Sequence, residues 1–343
     1  MMTSPPQSPR RRASPARLPA LAATLALLAA LLIAPVASAV HASAKPRAHA
    51  AAYLTGVGDE HAEMFNDPLY RQLHTRIARL IVAYDVIAHP YFLKQADTWI
   101  HNAEAQHIQV LVAFYHSEYS PTRLPSVALY QHDVQKFVKR FPHVKQYQSW
   151  DESNRGNVPH AFSSPSAELA AKYYQGLLRV CKGCTVLGLD VLDSANIGPT
   201  LTYISKFKRE IGRLRTLMPR YWGLHNYSDV NRFESWRTRE LANALGGQVW
   251  LTETGGIVQF GSSFPNVHGS GLTRANKALK YMFTTAYVSS RIKRLYIFDW
   301  TGGGSSTRFD AGLMDAHYKP RPGYVVVCRQ LHAAHCSVHT SKK

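Results

Sequence analysis

Two short segments of this 343-residue chain each place a glutamate where an apolar run gives way to polar sequence. Residues 148–154 carry Glu152, and residues 249–255 carry Glu253. This pattern is typical of side chains that a β-strand delivers to the rim of a sheet. Two carboxyl groups held in this way suit glycoside cleavage, in which one protonates the leaving oxygen and the other meets the developing cation.

Apolar runs alternate with longer segments of helical spacing from residue 53 onward. Several runs are near-continuous in Val, Ile, Leu and aromatic residues, as strands buried on both faces require. In the longer segments apolar residues recur at intervals of three and four, as in Leu201, Ile204 and Phe207. The eight predicted strands span residues 54–58, 79–84, 109–115, 145–150, 185–189, 221–225, 248–252 and 294–299.

Eight strand–helix units in about 280 residues are the number and length of a (β/α)8 TIM barrel, an α/β fold. A doubly wound open sheet is the alternative, because alternation alone does not show that the sheet closes. The count of eight favours the barrel. We predict a single barrel domain over residues 53–336, a flexible segment before it at 40–52 and a short tail at 337–343.

Polar and aromatic side chains follow the predicted strands. Because TIM barrels build their sites where strands end and the following loops begin, these side chains should gather at one rim. They are Asp59, Glu60, Asp85, His116, Glu118, Tyr119, Asp151, Glu152, Asn154, Asp190, Asp193, His225, Asn226, Tyr227, Glu253 and Trp300.

The two glutamate motifs resemble those of a known enzyme group. Residues 150–154, Trp-Asp-Glu-Ser-Asn, resemble the Trp-Asn-Glu-Pro-Asn motif after the fourth strand in clan A of the glycoside hydrolases, the retaining (β/α)8 enzymes. Residues 250–255, Trp-Leu-Thr-Glu-Thr-Gly, resemble that clan's nucleophile motif after the seventh strand. The resemblance implies a retaining glycoside hydrolase in which Glu152 is the acid/base and Glu253 the nucleophile.

The resemblance also implies substrate-site roles for other residues. His225-Asn-Tyr227 is similar to the clan's His-x-Tyr, in which the tyrosine hydroxyl contacts the nucleophile, and Arg79 matches an arginine that keeps the nucleophile ionised. Trp300 matches an aromatic platform beneath the sugar, and Asn154 joins this substrate-binding set. On physical grounds the charge of Glu253 should raise the pKa of Glu152.

Asp151 departs from the clan pattern, because the clan has an asparagine there whose amide donates a hydrogen bond to the sugar 2-hydroxyl. An ionised aspartate can only accept hydrogen bonds. Either the contact is inverted, or the substrate carries another group at that position, such as an amine. Ser153 in place of proline is a milder departure that loosens the loop.

The first 39 residues have the layout of a secretory signal peptide. Four arginines precede an apolar run over residues 20–34, and small-residue cleavage patterns follow at 37–39 and 42–44. An uncleaved membrane anchor is the alternative, because a run of 15 residues is short for a membrane span but not impossible. We predict cleavage, a secreted protein, and no stable membrane insertion afterwards.

Four cysteines in an exported chain indicate disulfides. Cys181 with Cys184 and Cys328 with Cys336 are the pairing we favour, although four cysteines allow three connectivities. A zinc site is less favoured, because the second pair lacks the tight spacing of metal loops.

The formal charge of +18 favours anionic partners such as acidic polysaccharide. Without the four leader arginines the charge is 18 − 4, or +14. No recognised nucleic-acid motif accompanies the scattered basic residues, so we predict a monomer that binds an oligo- or polysaccharide and no nucleic acid. The bland alternative is a basic surface that only aids solubility.

Two further function classes remain open. A metal-dependent hydrolase would use Asp85, His116, Asp190 and His225, but the chain has no His-x-His or His-Glu-x-x-His spacing. A catalytically silent carbohydrate-binding barrel would retain the site without turnover. We predict an enzyme that needs neither metal nor cofactor.

Overall fold

Eight parallel strands pair edge to edge and close into a barrel in the order β1-β2-β3-β4-β5-β6-β7-β9. Closure comes from β9, which pairs with β1 on one side and β7 on the other. The prediction of a (β/α)8 TIM barrel is therefore confirmed, and the open doubly wound sheet is excluded. The barrel strands are β1 (Leu54–Gly58), β2 (Ile77–Ala83), β3 (Gln109–Tyr115), β4 (Gln146–Gln148), β5 (Thr185–Leu192), β6 (Tyr221–His225), β7 (Gln248–Thr254) and β9 (Ile292–Phe298).

This computed structural model describes residues 53–303, 307–333 and Cys336. The predicted signal peptide at 1–39, the predicted flexible segment at 40–52 and the predicted tail at 337–343 lie outside the described residues. Within the described residues, no helix is long and apolar enough to cross a membrane.

Helices fill the connections between the strands and pack their apolar stripes against the barrel. Serine side chains accept hydrogen bonds from backbone N–H groups where two of them begin, Ser126 before α3 and Ser166 before α4. The helices are α1 (Pro68–Arg71), α2 (Pro90–Ala105), α3 (Val127–Arg140), α4 (Ala167–Val180), α5 (Gly198–Arg213), α6 (Tyr227–Arg232), α7 (Trp236–Leu245), α8 (Ser270–Thr285) and α9 (Pro322–Gln330).

Most element positions agree with the sequence analysis, and two differences have clear causes. The segment of helical spacing between the sixth and seventh predicted strands forms two helices, because Phe233 adopts a left-handed conformation (φ 58°) that ends α6. A two-stranded antiparallel ladder of β8 (Gln259–Phe260) and β10 (Phe309–Asp310) was not predicted. Its strands have two residues each, too short to show a periodicity.

Both favoured disulfides are present. Cys181 pairs with Cys184 just after α4, and Cys328, buried in α9, pairs with Cys336. The Cα–Cα separations are 5.6 and 5.5 Å, within the usual range for disulfides. The predicted connectivity is confirmed.

Candidate active site

A buried arginine on β2 contacts four side chains at the centre of the barrel mouth. Arg79 donates from Nη1 to Glu253 Oε1 at 2.7 Å and from Nε to Gln148 Oε1 at 2.7 Å. Its Nη2 donates to Asp190 Oδ2 at 3.1 Å and also contacts Asp151 Oδ1. One guanidinium thus links side chains from β4, β5 and β7 and their following loops, because its planar fork offers five donors.

A buried histidine at the end of β6 is the second link between the acids. His225 Nδ1 is hydrogen-bonded to Glu152 Oε1 at 3.1 Å and lies 3.5 Å from Glu253 Oε2. Both glutamate carboxyl groups therefore lie within 3.5 Å of a single ring nitrogen. On the other side of the ring, Nε2 lies 2.9 Å from Asp190 Oδ2.

Glu152 sits in the turn that follows β4, with a backbone conformation that is rare for glutamate. Its φ is +41°, in the left-handed region that favours glycine. Strain of this kind is stored where the surroundings hold a side chain in a required position. Arg155 supports that position, donating from Nη1 to Glu152 Oε2 at 2.6 Å.

Glu253 projects from β7 opposite His225, its register partner on β6. Its Oε2 accepts a hydrogen bond from the Tyr227 hydroxyl at 3.2 Å, and its Oε1 accepts from Arg79. The structure thus brings Arg79 and Tyr227 onto Glu253, as the sequence analysis expects. Two donors on one carboxylate fix its orientation.

Asp190 and His225 form a charged pair beneath the two glutamates. Burial alone would raise the pKa of Asp190, but the charge of His225, its contact with the ring and the charge of Arg79 hold that pKa well below its usual range. Burial alone would lower the pKa of His225, yet the charges of Asp190 and Glu253 raise it well above its ordinary value. Both shifts favour the charged forms of the two residues.

A glycine on β6 makes room for Asp190. A Cβ at Gly223 would lie 2.2 Å from Asp190 Oδ1 and 2.9 Å from Thr252 Oγ1. The Thr252 hydroxyl donates to that same Asp190 oxygen. A larger residue at position 223 would therefore displace the aspartate from Arg79 and His225.

The expected rise in the pKa of Glu152 is wrong for this arrangement. Burial does favour the neutral acid, but the hydrogen bond from His225 and the charges of His225 and Arg155 outweigh it and lower the pKa of Glu152. The expected rise took account of the charge of Glu253 but not of Arg155. The only sequence signal for this contact is an arginine three residues after the glutamate.

Both glutamates line a cavity of about 340 Å³ at the barrel mouth, a volume suited to a small ligand or one part of a larger one. Aromatic side chains form much of its wall, several from the unpredicted β8–β10 ladder and the end of β9. These aromatic residues are Tyr115, Tyr227, Phe260, Phe264, Phe298 and Phe309.

Trp300 does not offer a face to this cavity, which corrects its predicted role as a sugar platform. The side chain is completely buried, with its ring edge-to-face against Tyr70 at 5.4 Å and Tyr324 at 6.0 Å. The indole packs towards α1 and α9. Phe298, two residues earlier, lines the cavity in its place.

Asn154 is also placed away from the cavity lining. Its Nδ2 donates to the Leu192 carbonyl and to Thr200 Oγ1, both at 2.9 Å, and its Oδ1 accepts from Leu192 N–H at 2.7 Å. All of these contacts are within the protein. Its role is to fasten the Glu152 loop to the end of β5, which corrects its predicted contact with substrate.

Asp151 lines the cavity, but one of its oxygens already contacts Arg79. Burial raises the pKa of Asp151 well above its usual range, and the charge of Arg79 offsets this only in part. The two alternatives for its contact with substrate, an inverted hydrogen bond or another group on the sugar, stay predictions.

Three possible metal ligands meet in the site. Ligand atoms of Asp151, His225 and Glu253 lie within 4.8 Å of one another. Arg79 is hydrogen-bonded to both carboxylates, so a positive charge already occupies their shared side and disfavours a metal ion there. Asp85 and His116, from the alternative metal set, pair instead with His89 and Phe162.

Known proteins resemble this chain in structure but not in sequence. No protein-family model matches the sequence, and no curated protein matches it. Among solved structures, a psychrophilic glycoside hydrolase family 10 endo-β-1,4-xylanase superposes with a TM-score of 0.59 at 12% identity, over 80% of this chain and 96% of that one.

Two other solved structures with a similar fold are a xylanase and a galactanase. Xylanase 10B from Thermotoga maritima gives a TM-score of 0.58 at 14% identity, over 82% of this chain and 95% of that one. A fungal β-1,4-galactanase gives 0.57 at 10% identity, over 80% and 99%. At these identities the likeness shows the barrel fold that the clan A resemblance implies.

Proposed function

We propose that this protein is a secreted retaining glycoside hydrolase that cleaves O-glycosidic bonds by double displacement. The observation that carries the proposal is that two buried glutamates of an aromatic-walled cavity both lie within 3.5 Å of His225 Nδ1. Retaining enzymes need their two carboxyl groups close together, about 5–5.5 Å apart, so that one can attack the sugar directly. The glycoside hydrolases with the same fold support this assignment.

In the first step a Glu253 oxygen attacks the anomeric carbon while Glu152 gives its proton to the departing glycosidic oxygen. The bond to the leaving group breaks as the glycosyl–Glu253 ester forms. Arg79 and Tyr227, which contact Glu253, hold it in orientation before attack.

In the second step Glu152, now ionised, takes a proton from water, and the resulting hydroxide attacks the anomeric carbon. The ester bond breaks, Glu253 leaves as a carboxylate, and Glu152 is protonated again. Two inversions give net retention at the anomeric centre. His225 touches the acid/base, so it can stabilise the charge that Glu152 carries between the two steps.

Glu253→Gln is the first test. We expect kcat to fall about 10³-fold or more on aryl glycosides and wall polysaccharides, because the amide is a poor nucleophile. Glu240→Gln, an exposed glutamate on α7, is the matched control and should keep full activity. Far-UV circular dichroism checks the fold, and NMR of the first product checks that its anomeric configuration is retained.

Three results would contradict this assignment. Substantial activity in the Glu253→Gln variant would show that Glu253 is not the nucleophile. A product with inverted anomeric configuration would rule out the double-displacement mechanism. Loss of wild-type activity with a chelator would favour the metal-dependent alternative. Sugar binding without turnover, unchanged by Glu253→Gln, would favour the silent barrel.

Asp151 is proposed to shift the substrate preference away from a plain 2-hydroxyl sugar, because it lines the cavity with a carboxyl group where the resembling enzymes have the amide of an asparagine. Asp151→Asn should change the ratio of kcat/KM for 2-amino and 2-hydroxy aryl glycosides about tenfold. An unchanged ratio would show that Asp151 serves only to hold Arg79.

A further inference from the structure

Two arginines line the same cavity as the glutamates. Arg155 follows the Glu152 turn, and Arg232 is the last residue of α6. The Arg232 guanidinium lies 5.2 Å above the Phe264 ring and forms no ion pair within the part of the chain that the structure describes. An exposed arginine on a cavity wall, unpaired there, is available to a ligand acid.

The cavity acids are all engaged within the protein, whereas Arg232 has no ion pair among the described residues. Asp151 and Glu253 contact Arg79, and Glu152 contacts Arg155 and His225. Asp193 accepts hydrogen bonds from the backbone N–H groups of Ser228 and Asp229. A negatively charged substrate group therefore meets Arg232 without displacing an existing partner.

Arg155 is placed to respond to such a group. Only one of its five donors is committed, to Glu152, and its guanidinium rests 4.8 Å from the Phe162 ring centre. About a third of its side chain is exposed, so it can turn towards a ligand in the cavity. While Arg155 stays on Glu152, it opposes the protonation that the proposed acid step needs.

We propose that Arg155 and Arg232 form a subsite for an acidic group of the substrate, a uronate carboxylate or a sulfate ester, and that this group draws Arg155 away from Glu152. The inference rests on the proposed function and narrows its substrate class to acidic glycans. Arg155 is a specificity and positioning residue: it binds the substrate acid and, through Glu152, controls the proton. Neutral glycans leave Arg155 on the glutamate and are poorer substrates.

Other charged and titratable groups also face Glu152 and set the background for this effect. Variants at position 155 leave all of these groups in place, so the difference between such a variant and the parent protein reports on Arg155. They are Asp151 on the same turn, Tyr115 on β3, His225 on β6, Tyr227 on α6 and Glu253 on β7.

The binding test uses the Glu253→Gln protein, which prevents turnover. Calorimetry compares two kinds of matched pair. In the first, an oligosaccharide that bears glucuronate is compared with its methyl ester; in the second, a sulfated oligosaccharide is compared with its desulfated form. We expect the charged member of at least one pair to bind about tenfold more tightly, and the pair showing it identifies the acid. Arg155→Gln and Arg232→Gln should each remove most of that preference.

Two matched variants keep the binding test specific. Arg239→Gln removes an exposed arginine on α7 outside the cavity lining and should leave the preference intact. Arg155→Lys keeps the charge without the fork and should retain an intermediate preference. Equal binding of charged and uncharged members in every pair, or an equal loss in Arg239→Gln, overturns the subsite.

The proton test follows Glu152 directly by NMR of ¹³C-labelled glutamate carboxyls, assigned with Glu152→Gln. Arg155→Gln should move the Glu152 midpoint to higher pH, because a neighbouring positive charge is gone. Binding of the preferred acidic ligand should move the Glu152 midpoint to higher pH in the protein that keeps Arg155. The same ligand should not move the midpoint in the Arg155→Gln variant. If neither the Arg155→Gln substitution nor the acidic ligand changes the Glu152 midpoint, the link between Arg155 and the protonation of Glu152 is overturned.

Failure of this inference and failure of the proposed function give different results. Binding and NMR need no turnover, so the subsite can stand in a silent barrel. Conversely, retained product stereochemistry together with equal affinity for charged and uncharged glycans would leave the hydrolase and remove the acidic-substrate class.

Discussion

Arg79 is the residue on which the electrostatics of the site depend. It is completely buried and contacts three carboxylates and one amide that arrive from different strands. Buried acids of like sign repel each other and lose hydration, so a cation among them is needed for the ionised state. The motif resemblance linked Arg79 to Glu253; its contacts with Asp190 and Asp151 required the folded chain.

Arg79→Met should lower the free energy of unfolding by about 3–5 kcal/mol, because it leaves three buried carboxylates without their cation. Arg294→Met is the control: Arg294 is a half-buried arginine on β9 that donates hydrogen bonds to Gln146, Tyr296 and Gln109 and forms no ion pair among the described residues. Urea unfolding followed by tryptophan fluorescence measures both variants. An equal loss in the two would mean that packing, rather than charge, explains the role of Arg79.

Residue-scale prediction worked where a motif specified both residue type and strand position. Glu152, Glu253 and Tyr227 lie together at the barrel mouth because each follows a strand that the apolar pattern located. Trp300 was misplaced because strand order does not say which way a side chain points after the strand ends. Its indole turned outward into an aromatic cluster with Tyr70 and Tyr324.

At the scale of elements, the loop after β4 is positioned by β5. Asn154 makes one contact with the backbone N–H of Leu192 and one with its carbonyl, in the manner of a pairing strand. Since β4 itself has only three residues, the loop needs this additional anchor. The strained turn that presents Glu152 depends on it.

Asn154→Ala should cost about 1–3 kcal/mol in unfolding free energy, because the Leu192 backbone groups lose their partner. Activity should fall further than stability explains, as the Glu152 turn relaxes. Asn102→Ala is the comparison, since Asn102 makes a single long hydrogen bond of 3.4 Å to Ala62. Wild-type kcat in a folded Asn154→Ala protein would show that the turn holds its shape without the anchor.

The boundaries that sequence patterns missed are those set by contacts distant in the chain. The extension of β5 to Leu192 follows from pairing with β6, and the β8–β10 ladder joins loops almost fifty residues apart. Periodicity within one segment cannot report such pairings. The core strands were predictable because burial on both faces leaves a continuous apolar run.

At the scale of the whole molecule, one buried acid should make stability fall towards alkaline pH. Burial raises the pKa of Asp193 to about 7, and the N–H groups of Ser228 and Asp229 offset this only in part. The folded chain therefore binds this proton more tightly than the unfolded chain, whose ordinary value is about 3.9. The resulting stability is present below that value and is lost as pH rises through 7.

Asp193→Asn cannot make this titration, so its stability should depend less on pH. Between about pH 4 and 7 the wild type should lose up to about 1.4 kcal/mol per pH unit relative to the variant. Urea unfolding of both proteins at intervals from pH 4.5 to 8.5 measures the difference. Glu240→Gln should follow the wild-type slope, and parallel curves for wild type and Asp193→Asn would contradict the assignment.

Closure of the ring has a consequence for how the chain acquires its chemistry. Arg79 and Glu253 are 174 positions apart, and β1 must pair with β9 before the ring is complete. Loops of that span form slowly during folding. In refolding from denaturant, catalytic power should return with the last cooperative phase, after most tryptophan fluorescence has recovered, and a chain cut between β4 and β5 should regain none until its halves associate.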